Sequence, residues 1–292
     1  MEESIPQSLE FSVYALILVS ILLNVWNAQT SSQLLSISNR WMRWLTISLA
    51  GAVLCMDWLE RPFWSVALIF FLLWLLLETV YTWFMVSALS QSEFSLFPRF
   101  KENTSGEEWP ANKKLIEIRD WLRASGYKKS QALVADIGGG AAIRSSIYQD
   151  KANTTRIQIL FIPQAKGAIS YCFSFSSETA DGKRLVTDNL NMPYGGFYPE
   201  NWEIVRKPWS KSIDYFSKLH SRRIQDLDLE NYETEPVQDL NNQQQLLERT
   251  NIEAGFLFPP HMQEEQGRIT WEGRYRVWKE IWMLNYLGRV FN

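Results

Sequence analysis

The sequence divides into an apolar first third and a charge-balanced remainder, and this division limits the folds open to the chain more than any motif does. The first 90 residues hold the long apolar runs, at Phe11–Trp26, Leu45–Leu59 and Phe63–Leu77. The residues that follow mix charged, aromatic and β-branched types. This layout is typical of a membrane anchor that carries a water-soluble module.

The apolar runs predict three transmembrane helices. A helix needs roughly 20 mostly apolar residues to cross a bilayer, and three segments meet that requirement, at about residues 9–26, 41–59 and 62–86. An alternative keeps only the hairpin of the second and third spans and lays the first segment in the membrane interface. The predicted organisation is an anchor at residues 1–89, a connector at 90–109 and a soluble α+β domain at 110–292.

The basic residues near the spans predict the orientation. No Lys or Arg precedes the first span, whereas Arg40 and Arg43 lie between the first and second spans, and further basic residues follow the third. Because Lys and Arg near span ends stay on the cytoplasmic side, we expect the N-terminus outside and the C-terminal domain in the cytoplasm. The expected location is the plasma (inner) membrane, with the lipid bilayer as the first partner.

Glu78 interrupts the third apolar run. An acid inside a span is costly and is a functional candidate by default. Counting from Pro62 at about 1.5 Å per residue places Glu78 roughly 24 Å along the helix, close to the far interface. An interfacial or helix-pairing role therefore competes with a proton or ion role. Ser48 and Ala52 form a pair of small residues that allows close helix packing, and a homo-oligomer through the spans is expected on this basis.

The charge balance of the second part excludes one class of partner. Residues 1–100 contain four basic and seven acidic residues, which leaves 25 of each for residues 101–292. A neutral domain offers no bulk attraction to nucleic acid, so no nucleic-acid partner is expected. Cys55 and Cys172 have neither disulfide-framework nor metal-ligand spacing. We predict no metal site and no cofactor.

Alternating apolar and polar residues between Ser130 and Asn189 predict an antiparallel β-meander of four or five strands. Gly138–Gly140 lies between two of these strands, where a turn is favoured over a phosphate loop because no helix follows. About four helices are predicted to pack with the sheet. The last begins after Thr270 and carries an aromatic stripe, which favours packing across the sheet, with an amphipathic helix on the membrane as the alternative.

Residues Asn189–Pro208 form an irregular stretch rich in Pro, Gly and aromatic residues. Long loops of this kind are often functional. The predicted ligand or partner surface consists of Tyr194, Phe197, Tyr198, Trp202 and His220. In the alternative interpretation the loop covers the core, and His220 is a structural residue at a helix–sheet border.

The sequence contains no recognisable nucleophile–base pair, metal cluster or phosphate loop, so no catalytic residue is predicted. We expect a non-enzymatic integral membrane protein whose cytosolic α+β domain binds a protein partner or a small ligand at the bilayer. The second hypothesis is a ligand-gated membrane effector or sensor. The third is a membrane-bound enzyme, for which His220, Asp181 and Glu272 are the only candidates, with no spacing that links them. A transporter fits least, because three spans with one acid form no evident pathway.

Overall fold

The computed structural model of the chain describes residues 7–30, 32–106, 109–164 and 169–290. The chain forms two compact units. The first contains the residues up to Ala88 together with Val277–Phe291, and we call it the helical unit. The second contains Leu89–Arg276, and we call it the sheet unit.

Three long helices dominate the helical unit, namely α1 (Gln7–Thr30), α2 (Gln33–Leu59) and α3 (Phe63–Gln91). Each is long and apolar enough to cross a membrane. Large apolar side chains such as Phe11, Leu54 and Phe84 are exposed along them. An apolar surface of this extent is typical of helices that face lipid, because a water-soluble chain rarely leaves so much contiguous apolar area uncovered.

Small residues allow α2 and α3 to pack closely. Ala52 is fully buried and packs with Val66 and Ala67 of α3. Ser48 is also buried, and its hydroxyl donates to the carbonyl of Trp44 at 2.9 Å. The small pair predicted from the sequence therefore packs within this chain.

The sheet unit is built on a single sheet of seven strands in sequential order. The strands are β1 (Phe100–Glu102), β2 (Lys128–Gly138), β3 (Ala141–Gln149), β4 (Arg156–Pro163), β5 (Ile169–Glu178), β6 (Arg184–Asp188) and β7 (Trp202–Arg206). Neighbours from β1 to β6 pair antiparallel, whereas β6 and β7 pair parallel.

The prediction of four or five strands is wrong in number, and the predicted antiparallel order holds for every neighbouring pair except β6 and β7. The five strands β2–β6 coincide with the alternating region, but an extra strand is added at each edge of the sheet. β1 has only three residues, too few for alternation to be visible. β7 is parallel to β6, and a parallel neighbour requires a connection that returns the chain along the strand direction. Residues 189–201 form that connection.

Helices cover both faces of the sheet. Helices α4 (Lys113–Ala124) and α5 (Ile213–Ile224) pack on one face, where Leu115 and Phe216 contact a core that includes Ile159. Helix α6 (Pro236–Glu253) packs on the other, where Leu240 joins Leu133 and Ile147. Because successive strand residues point to opposite faces, one apolar strand can serve both cores.

The glycines at Gly138–Gly140 form a hairpin turn. Gly138 pairs with Ala141 across the β2–β3 ladder, and both Gly139 and Gly140 have positive φ, at 59° and 74°. Consecutive left-handed residues suit the right-handed twist of a hairpin and favour glycine. A strand follows this turn, as the sequence predicts.

The end of the chain returns to the helical unit. After a 3₁₀ turn at Pro260–Met262 and the short α7 (Gln263–Gln266), helix α8 (Trp271–Trp282) continues as a π-helical segment over Met283–Leu287. We expected the whole of this helix to pack across the sheet, whereas the residues from Val277 onward belong to the helical unit. There the rings of Trp282 and Tyr286 lie 5.8 and 5.4 Å from that of Trp44.

Candidate functional site

The crossover loop, residues 189–201, is held in place by one buried amide. Asn251 of α6 is fully buried, and its Oδ1 accepts from the Phe197 backbone N–H at 2.7 Å. Its Nδ2 donates to the Phe197 carbonyl at 2.9 Å and to the Tyr194 hydroxyl at 2.8 Å. A loop lacks the hydrogen-bond partners that a strand finds in its neighbours, and Asn251 supplies them here.

Two further contacts fix the crossover loop. A Cβ atom built on Gly196 would lie 2.5 Å from Asn251 Oδ1, so only glycine permits this approach. Arg276 donates from Nε to the Gly195 carbonyl at 2.8 Å. Its guanidinium carbon lies 3.9 Å from the centre of the Phe197 ring, a cation–π contact. The loop is therefore braced by α6 and by α8.

The four aromatic residues predicted as a surface lie together. The rings of Tyr194 and Tyr198 are 4.8 Å apart, and those of Tyr198 and Trp202 are stacked at 6.3 Å. All four side chains are half-buried, and Trp202 opens β7. Residues 191–193, which we call the tip of the crossover loop, are exposed, with Met192 at 43% exposure. The structure thus presents a fixed base and an accessible tip.

His220 lies apart from this aromatic row. Its side chain is 1% exposed on α5, with Ser177 Oγ 3.1 Å from Nε2 and Thr187 Oγ1 2.9 Å from Nδ1. Burial, reinforced by the nearby Arg223 charge, lowers the pKa of His220 to about 3. The ring is therefore neutral at physiological pH, and it connects α5 with β5 and β6.

The three residues considered for an enzyme occupy different elements. His220 lies within α5, Asp181 in the exposed hairpin between β5 and β6, and Glu272 in the first turn of α8. Asp181 forms an ion pair with Lys183 at 3.1 Å. The hydrogen bond from Thr179, followed by the interaction with Lys183, lowers the pKa of Asp181.

Sequence reasoning missed the buried ion pairs of the sheet unit. Asp188 at the end of β6 accepts two hydrogen bonds from Arg206 of β7, at 2.7 and 3.0 Å, and both side chains are 6% exposed. Asp239 of α6 pairs with Arg156 at 2.6 Å and with Arg184 at 2.7 Å. Single arginines in alternating strands look like solvent-facing positions, so no sequence signal marked these pairs.

The helical unit contains a different kind of polar site. A cavity of about 210 Å³ lies between α2, α3 and the π-helical segment. We call it the polar cavity. It is lined by Arg40, Glu78, Tyr81, Thr82, Met85, Ile281, Trp282, Asn285 and Tyr286. Residues from three separate segments of the chain therefore converge on the acid that the sequence singled out.

The π-helical segment positions the groups around Glu78. The Tyr286 hydroxyl donates to Glu78 Oε2, and the Trp41 indole N–H donates to the Tyr286 carbonyl at 3.0 Å. A π-helical turn displaces carbonyls from their usual helical partners and is frequent at functional sites. The indole N–H of Trp282, which also lines the cavity, is buried without an acceptor among the described residues.

The polar cavity holds a cation and an anion that do not neutralise each other by contact. Arg40 of α2 and Glu78 of α3 both line this cavity. Within the part of the chain that the structure describes, however, Arg40 and Glu78 form no ion pair. Both groups line the same cavity, so each keeps hydrogen-bonding capacity that a ligand could use.

No cluster of three metal-ligating side chains occurs among the described residues. The chain matches no protein-family profile, no curated protein and no solved structure. A functional assignment must therefore come from the crossover loop and the polar cavity themselves.

Proposed function

We propose that this chain is an integral membrane protein that carries its sheet unit on the cytoplasmic side of the plasma (inner) membrane. There the sheet unit binds a protein partner through the crossover loop. The observation that carries this proposal is the bracing of the loop by Asn251 beneath an exposed tip. A loop already fixed in one conformation loses little entropy on binding, and function is often carried by loops on a rigid scaffold.

A protein surface fits the crossover loop better than a small molecule does. The rings of Tyr194, Tyr198 and Trp202 pack against one another, which leaves their outer edges as contact area. Aromatic residues and Met are enriched at protein interfaces, and Met192 lies at the exposed tip. Binding of a small ligand, the alternative expectation, would instead require space between these rings.

Photo-crosslinking tests this proposal at two matched positions. A photoreactive amino acid is introduced at Met192 or at Leu246 of α6, which are 43% and 42% exposed, and adducts of the full-length protein in its native membrane are identified by mass spectrometry. We expect one defined protein adduct at position 192 and none at 246. The same adduct should disappear when Pro193→Arg is added beside the probe, because a buried charge opposes docking.

Adducts of equal yield at both positions would overturn the proposal, as would an adduct at 192 that survives Pro193→Arg. Enrichment of a small molecule in place of a protein adduct would support the alternative ligand. Neither result depends on disrupting the packed rings, since Met192 and Pro193 are exposed.

Cysteine labelling tests the proposed orientation. The turn between α2 and α3 contains Glu60, and Arg222 is exposed on α5. In a Cys55→Ala background, we expect Glu60→Cys to react with a membrane-impermeant maleimide on intact cells. Arg222→Cys should react only after permeabilisation. Burial raises the pKa of the remaining Cys172 to about 12, which keeps this thiol unreactive. The reverse labelling pattern would show that the topology is opposite to the proposed one.

A second candidate, the ligand-gated effector or sensor, is favoured by the polar cavity. A ligand bound there would contact α2, α3 and the π-helical segment together, and could change how these elements pack. If this candidate is correct, the yield of crosslinks between the spanning helices should change when the ligand is added. A passive anchor should give the same yield with and without it.

A further inference from the structure

We infer that the polar cavity binds an ammonium–phosphate zwitterion of the kind that phosphatidylethanolamine presents. The ammonium group would contact Glu78, and the phosphate would contact Arg40. This inference is independent of the partner proposed for the crossover loop, because every lining residue belongs to the helical unit.

The charges of the polar cavity match both ends of such a zwitterion. A carboxylate offers about four acceptor positions, and at Glu78 the Tyr286 hydroxyl takes one of them. The guanidinium of Arg40 is planar and carries N–H donors suited to phosphate. A ligand that contacts both charges neutralises each one, whereas a simple anion or cation would leave the opposite charge uncompensated in an apolar surrounding.

The size of the polar cavity limits the ligand to a headgroup. Its volume of about 210 Å³ corresponds to roughly seven water molecules at about 30 Å³ each. Tyr81 and Met85 line the cavity and are largely exposed, so it opens at the side of α3. Acyl chains attached to a bound headgroup could then run along the exposed apolar surface of that helix, which includes Leu77 and Phe84.

The depth of the polar cavity fits a lipid headgroup. Glu78 lies roughly 24 Å along the helix axis from Pro62, and Arg40 lies roughly 28 Å from Leu59 at the end of α2. Both distances start from the same α2–α3 turn. Because the hydrocarbon core of a bilayer is about 30 Å thick, both charges fall near the interface opposite that turn, where headgroups are found.

Hydrogen-bond donors distinguish this ligand from other phospholipids. An ethanolamine headgroup brings N–H donors to Glu78, whereas a choline headgroup brings none. A phosphatidylglycerol headgroup supplies the phosphate without the cation. The buried indole N–H of Trp282 offers a second donor for an anionic oxygen. The cavity therefore predicts selectivity for the primary ammonium headgroup over both of the others.

Native mass spectrometry of the full-length protein tests the selectivity. The protein is exchanged into nanodiscs that contain equal amounts of phosphatidylethanolamine, phosphatidylcholine and phosphatidylglycerol. We expect phosphatidylethanolamine to be retained roughly tenfold more than either of the others, because only its headgroup brings charge-assisted N–H donors to Glu78. Glu78→Gln should remove this preference, and Arg40→Gln should lower the retention of phosphatidylethanolamine itself, because the phosphate loses its contact. Glu60→Gln, the same change as Glu78→Gln but at the exposed α2–α3 turn, should keep the preference.

A series of lipids tests the same point without any variant. Mono- and dimethylated phosphatidylethanolamine lose N–H donors stepwise, so retention by the wild-type protein should fall along the series to phosphatidylcholine. Free phosphoethanolamine tests whether the ligand is a lipid or a soluble molecule. If it binds the polar cavity and no phosphatidylethanolamine is retained, the site belongs to a soluble zwitterion. Equal retention of all lipids, or a preference unchanged in Glu78→Gln, would overturn the inference.

Discussion

Among the described residues, most of the exposed large apolar side chains lie in the helical unit, whereas the sheet unit buries an extensive core of such side chains. Phe173, Phe216 and Leu122 are fully buried among the strands and helices of the sheet unit. In the helical unit, Ser48 and Ala52 are buried while long apolar side chains face outward. Burial of large apolar groups stabilises a fold in water, and close packing of small residues stabilises helices in lipid. The two parts of the chain are therefore suited to different solvents.

The two units also differ in how they hold charge. In the sheet unit, Asp188 and Arg206 form an ion pair at 2.7 Å, and both side chains are buried. In the helical unit, Arg40 and Glu78 line one cavity without an ion pair. A closed pair serves the fold because both charges are satisfied internally. Two charges that do not contact each other, as in the polar cavity, keep free donor and acceptor positions for a ligand. The binding inference therefore rests on the helical unit.

The closed pair gives the largest expected effect. Arg206→Met should lower the free energy of unfolding of the sheet unit by about 3–5 kcal/mol, because Asp188 would stay buried without a compensating charge. Hydrogen exchange of β6 and β7 in the detergent-solubilised full chain measures this. Arg222→Met, at an exposed position of α5, is the control. Equal exchange in the two variants would show that the Asp188–Arg206 pair does not hold the parallel edge.

A charge placed on an exposed leucine tests the difference in solvent. Leu72→Arg in α3 should oppose membrane insertion by about 2.5–3.5 kcal/mol, whereas Leu246→Arg in α6 should change stability by less than about 0.5 kcal/mol. Both leucines are exposed in the structure. The fraction that resists alkaline carbonate extraction measures insertion. Equal extraction of both variants would contradict the assignment of α3 to lipid.

Local patterns in the sequence predicted the elements that such patterns can specify. The alternating region predicted β2–β6. The spacing of Leu115, Ile118 and Leu122, the buried residues of α4, is likewise a local helical pattern. The edge strands needed tertiary information. β1 consists of Phe100–Glu102, and β7 pairs in parallel only after the crossover loop has turned the chain. Periodicity cannot indicate which strand a short segment joins.

The residues of the polar cavity, like the edge strands, could be predicted from the sequence only in part. Glu78 could be identified because an acid is expensive inside an apolar run. Its hydrogen-bond partner Tyr286 lies 208 residues further along the chain and was not singled out by the sequence analysis. Arg40 entered the sequence analysis only as an indicator of orientation. No spacing rule connects these three residues, because their proximity results from packing of α2, α3 and the π-helical segment.

The smallest expected effect concerns His220 and depends on pH. Its pKa is about 3 in the folded chain and about 6.5 when unfolded. Below pH 6.5 the unfolded state therefore binds a proton that the folded state excludes. The free energy of unfolding should fall by up to roughly 1.4 kcal/mol for each pH unit between 6.5 and 3, while above pH 7 this group should contribute no pH dependence.

Replacing His220 by Gln should remove this part of the pH dependence. Exchange of the α5 amides between pH 7 and 5, corrected for the intrinsic effect of pH, measures the slope. His261→Gln is a matched control, because His261 is exposed and is the only other histidine in the chain. An unchanged slope in His220→Gln would mean that water and protons reach the ring in the folded state. The sheet unit would then contain an open titratable group, and the contrast between its closed polar contacts and the open polar cavity would no longer hold.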